Sequence, residues 1–149
     1  MTVLRPYGPT RTFSYTPATV GTYSIRVYAR NQGSTAAYEA ARWISCPVIA
    51  DPPVTSVTLD ANPPASQRVN LPVTFTATAT GGGTNKEYEF AVKDPVSGVM
   101  TVLQPYGASG TFLYTPTTVG TCNLRVYVRN QGTPSAYEAA RWMNYTATP

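Results

Sequence analysis

The sequence predicts an all-β protein, in which a sandwich of about seven antiparallel strands follows the C-terminal half of a second copy of the same unit. Short segments that alternate apolar and polar residues are separated by turns rich in Gly, Pro and Asn, as in β-sandwiches. The chain also repeats itself, because Thr2–Ser45 aligns without a gap with Thr101–Asn144, and 29 of the 44 aligned positions are identical. With 42% hydrophobic and 12% charged residues, the composition is that of a folded domain.

The repeat divides the 149 residues into three parts. Residues 1–46 form an incomplete module with only the C-terminal half of the unit, residues 47–53 form a Pro-rich linker, and residues 54–149 form a complete module. The prolines of the linker favour a stiff, extended connection. Because Met1 falls within the repeat, we expect the chain to be a processed piece or a partial reading frame of a longer protein.

Four predicted strands begin in residues 54–100, which we name the front half of the complete module. They cover Ser56–Leu59, Pro72–Thr80, Glu87–Val92 and Val99–Leu103. The alternation in the second and third strands turns one set of side chains toward the core, comprising Val73, Phe75, Ala77, Ala79, Tyr88, Phe90 and Val92. The same alternation turns Glu87 and Glu89 outward.

Three more strands are predicted in residues 101–149, which we name the back half. They cover Gly110–Tyr114, Cys122–Arg129 and Ala136–Tyr145. Turns are predicted at Pro105–Gly107, Thr115–Pro116 and Asn130–Gly132, where Pro, Gly and Asn favour turn backbone. Ala136–Arg141 has some helical propensity, but its β-prone neighbours favour a strand, so we expect no helix.

Two runs of the complete module resemble known repeats. GTFLYTPTTVGTCNLRVYVRNQG, Gly110–Gly132, and VTLDANPPASQRVNLPVTFTATATGGG, Val57–Gly83, are similar to bacterial immunoglobulin-like and PKD-like tandem repeats of extracellular proteins. The resemblance covers Val54–Ala147 and the earlier copy Thr2–Ser45. It implies an immunoglobulin-like β-sandwich that is extracellular or lies at the bacterial cell surface, although the Asp-rich calcium loops of some related domains have no counterpart here.

The incomplete module presents an energetic problem. Ordering its residues costs about 60–70 kcal/mol of conformational entropy, and chains of about 40 residues rarely fold without a metal, a disulfide or a partner. Its inward-facing set has no facing strands of its own and comprises Phe13, Tyr15, Tyr23, Ile25, Val27 and Ala29. Four explanations remain open: strand exchange between chains, packing of two incomplete modules on each other, completion by an upstream segment, or simple truncation of a longer tandem array.

A basic and aromatic stripe is the candidate site. In the complete module Arg125, Tyr127 and Arg129 share the outer face of one strand. In immunoglobulin-like sandwiches that strand lies beside the one that here carries Glu87 and Glu89, so the resemblance implies cross-strand ion pairs. Each exposed pair of this kind contributes about 0.2–1 kcal/mol.

The incomplete module repeats the stripe as Arg26, Tyr28 and Arg30, with Trp43 expected nearby, but it lacks the two glutamates. We expect this unpaired stripe to set the register of an incoming strand that carries Glu-x-Glu. Alternatively, the stripe could bind an acidic polysaccharide or nucleic-acid phosphate and stack sugars or bases. The net charge of +4 allows such a ligand without requiring it, and no specific nucleic acid is expected as a partner.

Catalysis, metal binding and membrane insertion have little support in the sequence. The chain has no histidine, which is the usual general base near neutral pH, and the neighbouring Glu87 and Glu89 imply no cleft. The carboxylates are scattered and there is no Cys/His cluster, so we expect no enzyme activity, no metal and no cofactor. No apolar run is long enough to span a membrane.

The two cysteines occupy unrelated positions of the repeat. Cys122 stands where the incomplete module has Tyr23, so we expect it to be a buried free thiol. Cys46 matches Tyr145 and is expected to be more exposed. A disulfide between the two is not expected, although Cys46 could join two chains in an oxidising compartment.

These observations favour a non-catalytic extracellular structural or adhesive module. The leading hypothesis is assembly through self-association or neighbouring repeats of a longer chain, with strand complementation between chains, as in a surface filament, a pilus-like fibre or an adhesin array. The alternative is an accessory module of a secreted multidomain protein that binds carbohydrate or a polyanion.

Overall fold

The regular structure of this protein consists of strands alone, in the residues that the computed structural model describes, which are 1–64, 66–94 and 96–149. The absence of helices from these residues agrees with the sequence prediction, and none of them therefore forms a helix that could cross a bilayer. The chain divides into two compact units, a first unit of Met1–Ala50 and a second unit of Asp51–Pro149.

The first unit contains one antiparallel hairpin. Strand β1, Gly21–Ala29, pairs with strand β2, Ala40–Val48, so β2 continues two residues into the segment predicted as linker. The turn after β1 is closed by a hydrogen bond from the Ser34 N–H to the Asn31 carbonyl at 3.1 Å. Gly33 has a φ of 82° in this turn, which is a conformation that side chains other than glycine rarely adopt.

Among its described residues, the second unit contains eight strands in two sheets. The strands are β3 Val54–Asn62, β4 Gln67–Arg68, β5 Val73–Gly81, β6 Lys86–Lys93, β7 Met100–Gly107, β8 Thr111–Tyr114, β9 Gly120–Asn130 and β10 Ala139–Thr148. One sheet has the order β3-β5-β8, and the other has the order β4-β10-β9-β6-β7. Every pairing is antiparallel except that of β4 with β10, which makes the larger sheet mixed.

Two details of the second unit differ from the sequence prediction. The turn predicted at Pro105–Gly107 is wrong, because β7 continues through these residues. β7 is the outermost strand of its sheet, where a proline without an N–H is tolerated. Strand β4 was not predicted, because two residues are too few to produce an alternating pattern.

The core of the second unit lies between the two sheets, as in a β-sandwich. Val73 and Phe75 of one sheet and Phe90 and Leu124 of the other are fully buried. The ring of Phe75 meets Tyr145 edge-on across the interface, with centroids 5.4 Å apart. The predicted inward-facing set is confirmed, with Val73, Phe75, Ala77, Phe90 and Val92 buried and Ala79 and Tyr88 half-buried.

The first unit has no comparable core. None of residues 1–50, all of which the structure describes, is buried. Within the predicted inward-facing set, Tyr23 and Ile25 are half-buried, whereas Val27 is 63% exposed and Phe13 is 49% exposed. Ile44 of β2, which lies opposite Ile25 and shares its face, is 59% exposed. The apolar face of this hairpin is therefore formed but uncovered.

Candidate assembly surface and aromatic groove

The two hairpins of the repeat have the same register. In the first unit Tyr23 lies opposite Cys46, and in the second unit Cys122 lies opposite Tyr145. The same pairing places Arg26 directly opposite Trp43, where the sequence had suggested only that Trp43 is nearby. Each residue of one hairpin can therefore be compared with its counterpart 99 positions away.

Glu87 and Arg129 form an ion pair in the second unit. They lie opposite each other on β6 and β9, and the Arg129 Nε donates to Glu87 Oε2 at 3.1 Å. Glu89 lies opposite Tyr127 instead of an arginine, and Arg125 donates from Nε to Asn123 Oδ1 at 2.9 Å. Among the described residues, the Glu87–Arg129 pair is therefore the one predicted ion pair of the stripe that forms. Glu89 forms none because the register places no cation opposite it.

Arg129 also belongs to an aromatic cluster on the outer face of the larger sheet. Its guanidinium lies 3.8 Å from the ring centroid of Tyr106, whose hydroxyl donates to the Ala136 carbonyl at 2.6 Å. Burial, followed by the negative charge of Glu89, raises the pKa of Tyr106 to about 12. The Arg129 charge opposes this rise but is outweighed.

A shallow groove of about 490 Å³ lies beside this cluster. Glu89, Met100, Val102, Tyr127 and Tyr137 line it together with the cluster residues. The rings of Tyr127 and Tyr137 are tilted against each other with centroids 5.2 Å apart. One exposed and two half-buried tyrosine rings beside one carboxylate and one guanidinium are groups that could stack on and hydrogen-bond a polar ligand.

The first unit contains the same cluster without its acidic side. Arg30 lies 4.3 Å from the ring centroid of Tyr7, and the Tyr7 hydroxyl donates to the Ala37 carbonyl at 2.7 Å. The ring centroids of Tyr28 and Tyr38 are 5.1 Å apart, close to the 5.2 Å between those of Tyr127 and Tyr137. Within residues 1–50, all described, no carboxylate forms an ion pair with Arg30.

The tyrosines outside the predicted stripe are functional candidates that sequence reasoning missed. They are Tyr7, Tyr38, Tyr106 and Tyr137. A signal was present, because these residues are identical in the two copies and lie on turns or edge segments, where packing alone does not require a tyrosine.

A hydrogen-bonded pair at the end of the second-unit hairpin holds the front half in place. Glu138 Oε2 accepts from the backbone N–H of Asn130 at 3.1 Å and from that of Val54 at 2.9 Å. The Asn130 amide donates to the Pro52 carbonyl at 2.8 Å, and its Oδ1 accepts from the Gly83 N–H at 2.8 Å. We name Asn130 and Glu138 the second-unit clasp.

The charge of Glu138 is stabilised by these contacts. Burial alone would raise the pKa of its carboxyl group, but the hydrogen bonds from the backbone of Val54 and Asn130 outweigh burial and hold the pKa below its ordinary value. The clasp therefore consists of an ionised acceptor and an amide that is 5% exposed.

The first unit contains the matching pair, Asn31 and Glu39, which we name the first-unit clasp. Glu39 Oε2 accepts from the Asn31 backbone N–H at 3.2 Å and from the Asn31 side-chain amide at 2.8 Å. The neighbouring backbone hydrogen bond is also shared by the two units. The Glu39 N–H donates to the Ala29 carbonyl at 2.8 Å, and the Glu138 N–H donates to the Val128 carbonyl at the same distance. Neither clasp was predicted from the sequence, although its asparagine and its glutamate are identical in the two copies.

Cys122 and Tyr145 are buried side by side in the core. The Cys122 thiol donates to the Tyr145 carbonyl at 3.4 Å, and the Tyr145 hydroxyl donates to the Pro63 carbonyl at 3.1 Å. Burial raises the pKa of the Cys122 thiol. Both cysteines of the chain are free, with Cys122 buried as predicted and Cys46 half-buried.

Within the described ranges, no three Asp, Glu or Cys side chains come together as a metal site would require. Comparison with protein-family models, with curated proteins and with solved structures gave no match. The repeated hairpin and its clusters are therefore the observations from which a function can be argued.

Proposed function

We propose that this chain is a non-catalytic structural or adhesive module of an extracellular or bacterial surface assembly, which grows by strand complementation between immunoglobulin-like repeats. In this proposal the first unit receives a front half from outside its own chain. The observation that carries the proposal is that the β1–β2 hairpin has the register of the β9–β10 hairpin, yet its apolar face is uncovered.

The strand order of the second unit supports the immunoglobulin-like part of the proposal. With the two-residue β4 left out of the count, the first, second and fifth strands (β3, β5 and β8) form one sheet, and the third, sixth and seventh (β6, β9 and β10) lie in the other, as in immunoglobulin-like sandwiches. The fourth strand, β7, pairs with β6 in the larger sheet. In such a sandwich the back-half hairpin is covered by the front half. Its counterpart in the first unit is suited to the same cover.

The free edge of β1 supports complementation. Strand β9 pairs with β10 on one side and with β6 on the other, whereas β1 pairs only with β2 among the described residues. An open edge beside an uncovered apolar face favours the addition of strands from another chain. A strand like β6 would also bring a carboxylate opposite Arg30, as Glu87 lies opposite Arg129.

The exchanged Tyr and Cys positions support a packed state for the first unit. Tyr23 and Cys46 are the second unit's Cys122 and Tyr145 with the two residues exchanged between strands. The exchange keeps the summed side-chain volume of the opposed pair. Volume is constrained in a close-packed interior but not on an exposed face.

Adding the front half in trans tests the proposal. A synthetic peptide of residues 51–100 is added to the full chain, and amide hydrogen exchange is followed residue by residue. We expect the β1 amides to slow by about tenfold or more at saturation, because strand pairing and burial protect them. A peptide in which the order of these residues is scrambled is the control, and unchanged β1 exchange with the native-order peptide would refute complementation.

Light scattering behind a sizing column tests whether chains complete one another without added peptide. A larger species that persists in reductant over a hundredfold dilution would show assembly that is independent of Cys46. A monomer in this experiment would place the complementing strands on a different polypeptide, and the peptide experiment then decides the proposal.

Carbohydrate or polyanion binding is the second candidate function. Trp43 and Trp142 are 66% and 61% exposed, and each lies opposite an arginine, Arg26 and Arg125. An exposed indole beside a guanidinium could stack on a sugar ring and bind an acidic group. Glycan-array binding that is lost in Trp142→Ala but retained in Leu113→Ala, an exposed residue of the other sheet, would favour this candidate.

A further inference from the structure

We infer that the first-unit clasp, Asn31 and Glu39, is a preformed docking site for the backbone of an incoming front half. This inference rests on the proposed function and adds the contacts that select the partner. The incoming front half would present the same three backbone groups that the second-unit clasp binds. In the second unit these are the Val54 N–H at the start of β3, the Pro52 carbonyl just before it, and the Gly83 N–H in the glycine turn after β5.

The second unit shows how such a site works. Its clasp contacts the front half at two places far apart in sequence, the segment Pro52–Val54 and the turn residue Gly83. These contacts fix where β3 begins and where the chain leaves β5, so one pair of side chains positions the β3-β5-β8 sheet against the β9–β10 hairpin of the other sheet. The clasp thereby acts on register as well as on stability.

The glycine turn is part of the recognition. Gly82 has a φ of 77°, and a Cβ on this residue would lie 2.9 Å from Asn130 Oδ1. Only a glycine lets the backbone approach the asparagine so closely. An incoming strand pair with side chains at this turn would be excluded, which makes the clasp selective for a front half of the same kind.

The first-unit clasp is formed but has unused capacity. Asn31 and Glu39 already hold each other through the backbone hydrogen bond seen in the second unit. The Asn31 amide also donates to Glu39 Oε2 at 2.8 Å, whereas the Asn130 amide donates to the Pro52 carbonyl and lies 3.5 Å from Glu138 Oε1. Within the described residues, neither Asn31 Oδ1 nor Glu39 Oε1 accepts a hydrogen bond, and the Asn31 amide donates only to Glu39. Because the pair is held in place before binding, little side-chain entropy is lost when a partner docks.

The occupant is a front half carried by another polypeptide. The front half of this chain is already engaged, because its residues Val73, Phe75 and Phe90 are fully buried in the second unit. Releasing it would expose that core. A second copy of the chain has the same commitment, so the partner is a further repeat with a Pro-Pro-Val start, a Gly-Gly-Gly turn and a strand like Glu-Tyr-Glu.

A double-mutant cycle between the full chain and the peptide of residues 51–100 tests the clasp. Glu39→Ala removes the acceptor from the chain, and N-methylation of Val54 removes the donor from the peptide. Each change alone should weaken binding roughly tenfold, since a hydrogen bond to a charged group is lost. The two together should weaken it by no more than the larger single change, because both remove the same contact.

Three results are distinguishable. If the two losses multiply, Glu39 does not contact the Val54 N–H, and the clasp inference fails while complementation stands. If the unmodified peptide does not bind, both proposals fail. The matched control is Asp60→Ala in the full chain, which removes an exposed carboxylate from β3 instead of from the clasp. It should leave peptide binding within twofold of that to the native chain, and so it separates the clasp from a general charge effect. Because N-methyl-Val54 leaves the chain unchanged, this arm remains decisive even if Glu39→Ala disturbs the hairpin.

Discussion

The β1–β2 and β9–β10 hairpins share a register, a turn, a clasp and a Tyr–Arg cluster, yet they differ in burial. Leu124 on β9 is fully buried, and its counterpart Ile25 on β1 is half-buried. The shared features are contacts between residues that all belong to the back-half sequence, so this sequence alone can specify them. Burial depends on the front half, which only the second unit has.

This difference separates two contributions that are usually mixed in a sandwich. The turn, the clasp and the aromatic pairs give the hairpin its shape, whereas the sheet packed against it gives it a core. An isolated two-stranded hairpin is only marginally stable in water. The first unit is therefore expected to be far less stable than the second unless another chain covers it.

Truncating matched core residues should show the largest contrast. Leu124→Ala should lower the unfolding free energy of the second unit by about 2–5 kcal/mol, because it leaves a cavity between the sheets. Ile25→Ala should change the stability of the first unit by less than about 1 kcal/mol. Each unit has one tryptophan, so urea unfolding followed by Trp142 fluorescence in a Trp43→Phe background, and the reverse, reports each unit separately. Equal losses would mean that the first unit has a core in the monomer.

The second largest contrast in stability between the units should come from the two clasps. Glu138→Ala should cost the second unit about 1–3 kcal/mol, since the N–H groups of Val54 and Asn130 lose their acceptor. Because the folded pKa of Glu138 is depressed, its contribution is complete above the unfolded value near 4.5 and is lost as pH falls through the folded value. The native and Glu138→Ala proteins should therefore converge in stability in urea titrations at acid pH. Glu39→Ala in the first unit should show little effect, and a constant gap between native and Glu138→Ala down to low pH would contradict the assignment.

The stripe should show the smallest contrast. Glu87→Gln should lower the unfolding free energy of the second unit by about 0.2–1 kcal/mol, because the pair with Arg129 is partly exposed to solvent. High salt should reduce this difference, since ions screen exposed charges. In the first unit, the change in unfolding free energy caused by Arg30→Gln should not depend on salt concentration. A salt-sensitive loss there would reveal an acidic partner for Arg30.

The alternation in the sequence was sufficient to predict most of the second unit. Val73, Phe75 and Phe90 alternate with polar neighbours, and the period of two fixes which side is buried. Pro105 was misread because proline usually marks a turn, and whether a strand lies at a sheet edge depends on pairing between distant segments. Strand β4 escaped prediction because its formation depends on the backbone of β10.

The candidate site could be predicted only in part. The basic and aromatic stripe follows from the alternation on β1 and β9, but the pairing of each arginine depends on the β6–β9 register. That register places Glu87 opposite Arg129 and leaves Ala91 opposite Arg125. The second-unit clasp depends on side chains that meet backbone groups more than 40 residues away, which no local pattern reveals.

The exchanged Tyr and Cys positions also bear on how a chain with two nearly identical back halves folds correctly. If β1 paired with β10 in the shared register, Tyr23 would oppose Tyr145, and two large rings would compete for the space of one. If β9 paired with β2, Cys122 would oppose Cys46 and leave a void. Misassembly between similar neighbours is a characteristic failure of repeat proteins. One exchanged pair of residues thus gives each hairpin a means of rejecting the strand of its neighbour during folding.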